Sequence, residues 1–142
     1  MNGKNSTRER RKRVYIASPY WNDSPHIRIQ NVEKQIIIAS RLRDQGFSAF
    51  WPLHSHYEGM HFPREEKEWL SISMEWITAC DVLLRQGKES FGADREVELA
   101  NALNMPVYYE LPELIKNEKT SVPELVYHKL PRTVKEILIE RR

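Results

Sequence analysis

The densest chemical signal in the chain is the run Glu89-Ser90-Phe91-Gly92-Ala93-Asp94-Arg95-Glu96. It follows the apolar stretch Val82-Leu83-Leu84 and opens a helical pattern. Ser90 suits an N-cap, and its hydroxyl with the unpaired N–H groups of a first turn forms a site for an anion. Gly92 lets a ligand come close to the backbone. Glu96 falls about one turn further in. It faces the same mouth as Ser90 if the helix begins near Phe91. A carboxylate there can attack a sugar carbon or stabilise an oxocarbenium ion. Taken alone, a serine cap followed by acidic residues is also routine helix chemistry.

Other side chains are softer candidates. Arg28 offers a forked donor to a phosphate or a base, or is a solvated residue of a helix's first turn. Asn31 can hydrogen-bond in a crevice, though a surface role suits it better. His54 and His56 follow a strand and can contact a ligand. No further His or Cys has matching spacing, so a zinc site is not expected. Trp51 and Trp69 can stack on a base or simply fill the core.

These residues need a frame. Arg13-Val14-Tyr15-Ile16-Ala17 reads as a strand ended by Ser18-Pro19, and 18–27 as a loop. Ile29, Val32, Ile36 and Ala39 recur at helical spacing, which predicts a helix from Arg28 to Gln45 with Gly46 as its left-handed C′ residue. Phe47–Trp51 reads as a second strand, and 53–63 as a loop. Arg64–Ala79 reads as a helix packed through Trp69, Ile72, Trp76 and Ala79. A strand over Asp81–Leu84, a polar loop over 85–91, a helix over Gly92–Leu103 and a strand over Pro106–Tyr109 follow. Pro112–Glu118 suggests a short helix or a turn, and Thr133–Glu140 a helix.

Alternating strands and helices imply right-handed crossovers. The expected fold is therefore α/β, a single-domain doubly wound parallel sheet of about four to five strands, flavodoxin- or Rossmann-like. Ligands bind beyond the carboxyl ends of such strands. That places Ser18-Pro19, the loop after Pro52 and the loop 85–92 around one crevice.

Composition sets the outer limits. The chain has 142 residues, 40% apolar and 30% charged, enough for one domain with one core. Residues 1–12 read as a flexible basic tail and 13–142 as the domain. No stretch approaches the roughly 20 apolar residues of a membrane span, so no membrane partner is expected. The net charge is only +2, and much of the basic excess sits in Arg8–Arg13 and the closing Arg141-Arg142. A nucleic-acid polymer is not an expected partner. Cys80 is the single cysteine. That excludes an intramolecular disulfide and suits a reducing, cytoplasmic setting.

Over roughly residues 13–110 the chain resembles the nucleoside 2-deoxyribosyltransferase superfamily. The resemblance rests on Val14-Tyr15-Ile16-Ala17-Ser18-Pro19, Cys80-Asp81-Val82-Leu83-Leu84 and Ser90-x-Gly92-Ala93-x-x-Glu96 leading to Ala100. Ala49-Phe50-Trp51-Pro52-Leu53-His54-Ser55-His56 adds to it. It implies that Glu96 is the nucleophile attacking C1′ of a nucleoside and that Tyr15 orients it, with no cofactor or metal. It also implies a homo-oligomer, a dimer or higher. Ser90, where many transferases carry an aspartate, implies a 5′-phosphate partner, because a hydroxyl with helix N–H groups welcomes a phosphate and a carboxylate repels it. Ser73 stands where the family usually has an aspartate that touches the sugar or helps protonate the base, and a serine is no general acid near neutral pH. The expected substrate is a nucleoside 5′-monophosphate or nucleoside. Ser18, Pro19, Arg28, His54, Ser73, Ser90 and Gly92 are expected to bind it. The leading expectation is an N-glycosidase, with a deoxyribosyltransferase and a non-catalytic nucleotide-binding module as alternatives.

Overall fold

The computed structural model describes residues 10–121. The tail over 1–12 and the helix at Thr133–Glu140 therefore fall largely or wholly outside the described residues. Every element that follows lies within one compact unit, Lys12–Lys119.

Four strands form a parallel sheet in the order β2-β1-β3-β4, with β1 Arg13–Ala17, β2 Ser48–Phe50, β3 Val82–Arg85 and β4 Val107–Tyr108. The helices are α1 Pro25–Asp44, α2 Ser55–His61, α3 Glu66–Ile77, α4 Phe91–Ala102 and α5 Leu111–Glu118. A 3₁₀ turn at Pro52–His54 leads into α2. From β1 the chain first builds β2 on one side and then β3 on the other. The topological switch point, where such sheets leave a crevice, thus lies at the end of β1. The doubly wound α/β expectation matches this architecture.

Strand alternation sorts the core into two layers. Val14, Ile16, Val82 and Leu84 pack with Ala39 and Leu42 of α1 and Leu114 of α5. Tyr15, Ala17 and Leu83 pack with Ile77 of α3 and with Ala93 and Ala100 of α4. Helix α5 is pinned by Glu118, which takes an ion pair from Lys12 at 2.7 Å and a hydrogen bond from the Tyr108 hydroxyl at 2.6 Å.

Several boundaries differ from expectation. Helix α1 starts at Pro25, not Arg28, because proline at the first helical position forfeits an N–H that has no partner anyway. Its C-terminal Gly46 has φ +92°, as expected. Its buried stripe is Val32, Gln35, Ala39 and Leu42, whereas Ile29 and Ile36 are exposed. The expected phase was off because a buried glutamine reads as a surface residue. The supposed loop 53–63 contains the 3₁₀ turn and α2, a helix with no buried residue and so no apolar period to detect. Strand β2 is shorter than Phe47–Trp51, and β3 runs one residue further, to Arg85. Trp76 lies on the expected packing face but is half exposed, stacked on Phe50 at 4.9 Å.

Candidate active site

A cleft of about 900 Å³ opens beyond the carboxyl ends of the strands. Its lining includes Ser18, Pro19, Arg28, Ser73, Ser90, Gly92 and Glu96. The three expected loops therefore meet at one place.

Helix α4 begins at Phe91, with Ser90 extended as its N-cap, and the Ser90 hydroxyl accepts from Ala93 N–H at 3.3 Å. This start puts Glu96 on the same mouth as Ser90. A Cβ built on Gly92 would meet no protein atom within 4 Å. The protein's packing does not require glycine there, and the space a side chain would take belongs to the cleft.

Glu96 is 7% exposed and receives a hydrogen bond from the fully buried Tyr15 hydroxyl. Burial pushes its carboxyl up to about 7, and the Tyr15 hydrogen bond and the Arg85 charge hold it back. The Tyr15 phenol is raised well above its ordinary value by burial and by the Glu96 charge and hydrogen bond. Hydrogen bonding from Ser73 partly offsets that rise. Tyr15 therefore stays a donor to Glu96.

Two buried polar residues that the sequence did not flag hold the cleft's loops. Gln35 on α1 donates to Ile16 C=O at 3.1 Å and to the Ser18 hydroxyl at 2.8 Å, and accepts from Leu53 N–H at 3.0 Å. It ties the end of β1 to the turn after β2. Arg85, 6% exposed, donates to Asp94 at 3.2 Å, to Lys88 C=O at 2.7 Å and to Gln86 C=O. Its planar fork gathers the loop between β3 and α4. Each had a signal. Gln35 sits three residues from Val32 and four from Ala39. Arg85 sits two beyond Leu83, on the same strand face.

The remaining candidates divide. Arg28 lines the cleft with its guanidinium 4.6 Å from the Trp21 ring centroid. Trp69 lines it too, whereas Trp51 packs against the core. Asn31 donates to Tyr20 C=O at 3.0 Å. His54 is exposed, edge-on to Phe50 and Trp51, and is not part of the cleft lining. His56 is, and its Nδ1 lies 2.6 Å from the Tyr20 hydroxyl. The 3₁₀ turn makes this difference, rotating successive side chains to different sides. Among the described residues no group of three or more His, Cys, Asp or Glu could hold a metal ion, and no helix is long and apolar enough to cross a membrane.

No family model and no curated protein matches the chain. Among solved structures it is similar to a 2-deoxyribosyltransferase from the psychrotolerant bacterium Bacillus psychrosaccharolyticus. The two share 21% identity over 82% of this chain and 89% of that one, with a TM-score of 0.44. Likeness at that level does not carry chemistry from one chain to another.

Proposed function

We propose that the protein cleaves the N-glycosidic bond of a nucleoside 5′-monophosphate, with Glu96 as nucleophile. The observation that carries this reading is the buried Glu96 carboxylate, held by Tyr15, opening into the same cleft as the N-terminus of α4. The Glu96 carboxylate attacks C1′, the base departs, and water resolves the glycosyl ester. Tyr15 keeps the carboxylate oriented and lowers the proton affinity that burial raises. Ser90 and the first-turn backbone at Gly92 receive the phosphate. Ser18, fixed by Gln35, and Pro19 form the neighbouring wall, and Arg28 supplies a cation at the rim. The chemistry needs no cofactor. A cytoplasmic setting and a homo-oligomeric assembly accompany this reading.

A second reading, transfer of the sugar to another base, uses the same nucleophile and differs only in what attacks the glycosyl ester. One experiment separates the two. Ribo- and deoxyribonucleoside 5′-monophosphates and the matching nucleosides are incubated with wild type and Glu96→Ala, and released base is followed by chromatography. Release from monophosphates in water, lost in the variant, is the expected result. Release only when an acceptor base is added assigns the transferase. Nucleotide binding without any base release would make the cleft a binding module.

A further inference from the structure

We propose that His56 is the proton donor to the departing base, a role that rests on the glycoside-cleavage reading. Loss of a nucleobase as an anion is costly, so a cleft that breaks this bond benefits from an acid facing the base. Ser73 cannot serve, because a serine hydroxyl is no general acid near neutral pH. Imidazole is the side chain that ordinarily gives and regains a proton near neutral pH.

His56 is placed for this work by three contacts. It lines the cleft together with Glu96, Ser73 and Trp69. Its Nδ1 is engaged by the Tyr20 hydroxyl at 2.6 Å, which leaves Nε2 as the ring nitrogen for a ligand. The ring is fixed edge-on between Tyr20 and Tyr57, with centroids 5.7 and 5.2 Å away. Tyr20 is itself anchored through its carbonyl by Asn31. The imidazole thus bridges the loop after β1 and the helix after β2. The carboxyls of Glu66 and Glu89 also line the cleft, but both residues are exposed.

In the step, a Glu96 oxygen bonds to C1′ as the C1′–N bond breaks and its electron pair passes to the base. The Nε2 proton of the imidazolium moves to a base nitrogen, so the base leaves neutral. His56 is then a neutral imidazole whose Nδ1–H donates to the Tyr20 oxygen. Water attacks C1′, the C1′–O bond to Glu96 breaks, and Nε2 takes the proton that water gives up. The imidazolium and the carboxylate are both restored.

The test compares the monophosphate that wild type cleaves fastest with an analogue whose base leaves without needing a proton. For a purine this is the N7-methylated form, and for a pyrimidine the 5-nitro form. His56→Asn is expected to lose about 10²- to 10⁴-fold in kcat on the parent and to keep most of its activity on the analogue. Tyr20→Phe retains the imidazole and is expected to show the same selectivity at smaller size, so the inference survives a folding defect in His56→Asn. Equal loss on both substrates in both variants, with Glu96→Gln still inactive on each, overturns the acid role and leaves the glycoside reading standing. Wild type that cleaves neither substrate overturns both.

Discussion

The two faces of the sheet are made from alternate residues of the same strands, yet they do different work. On the face covered by α1 and α5, Val14, Ile16, Val82 and Leu84 pack in an apolar core whose one buried polar neighbour from α1 is Gln35 at the end of β1. On the face covered by α3 and α4, the same strands present Tyr15, Ala17, Leu83 and Arg85, and the small residues Ala17, Ala93 and Ala100 let α4 come close. That closeness buries Glu96 against Tyr15. One face supplies stability. The other gives some up to hold a desolvated carboxylate, as functional sites commonly do.

The largest effect expected is the exchange of Glu96 for Gln. Base release should fall by about 10³-fold or more, while stability rises. A carboxyl raised from 4.5 to about 7 binds a proton more tightly folded than unfolded. Folding therefore loses stability as pH climbs from 4.5 to about 7, by about 3 kcal/mol in all. Glu96→Gln should be more stable than wild type at pH 8 and nearly equal to it at pH 4, read by denaturant titration. Leu84→Ala on the other face should do the reverse. It should cost about 2–5 kcal/mol with little pH dependence, and kcat of the folded fraction should be kept.

Arg85→Lys comes next. A point charge cannot replace the fork that gathers the loop 86–88 and Asp94, so a loss of about 2–3 kcal/mol is expected. Arg85 also lowers the proton affinity of Glu96.

The pH profile sharpens the contrast further. A nucleophilic carboxylate must be ionised, so kcat/KM should fall below about pH 7 as Glu96 takes up its proton. Tyr15→Phe removes a hydrogen bond that favours the ionised form, and the acid limb should move to higher pH. An unmoved limb would show that Tyr15 does not tune Glu96.

Gly92→Ala is the smallest perturbation. Alanine is the better helix former and its Cβ meets no protein atom, so stability should change by no more than about 1 kcal/mol, in alanine's favour. Monophosphate binding should weaken more than nucleoside binding, as measured by calorimetry.

What could be read from the sequence was what is encoded locally. The β-branched run of β1, the Ser90 cap and the order of strands and helices each follow from neighbours along the chain. So did the meeting of Ser18 and Ser90 at one mouth, which topology dictates, and the place of Glu96 beside them, which follows from the Ser90 cap starting the helix at Phe91. What escaped depends on distant backbone. Gln35 is buried because two carboxyl-end loops bring it a carbonyl, a hydroxyl and an N–H. Arg85 is buried because a loop folds its carbonyls around one guanidinium. Helix α2 left no trace because it buries nothing. The choice between His54 and His56 turned on a 3₁₀ turn that proline spacing does not announce.

Gly87, at φ +84°, has a consequence for how the cleft can change. A Cβ there would lie 2.7 Å from Cδ of Pro19, and Gln86 N–H donates to Ala17 C=O at 2.9 Å. The rims contributed by β1 and β3 are interlocked at this point, so neither can be lengthened or transplanted without recutting the other. Anyone remodelling the cleft for a new substrate would find the α2–α3 side the adjustable wall. The Pro19–Gly87 side is the fixed jaw.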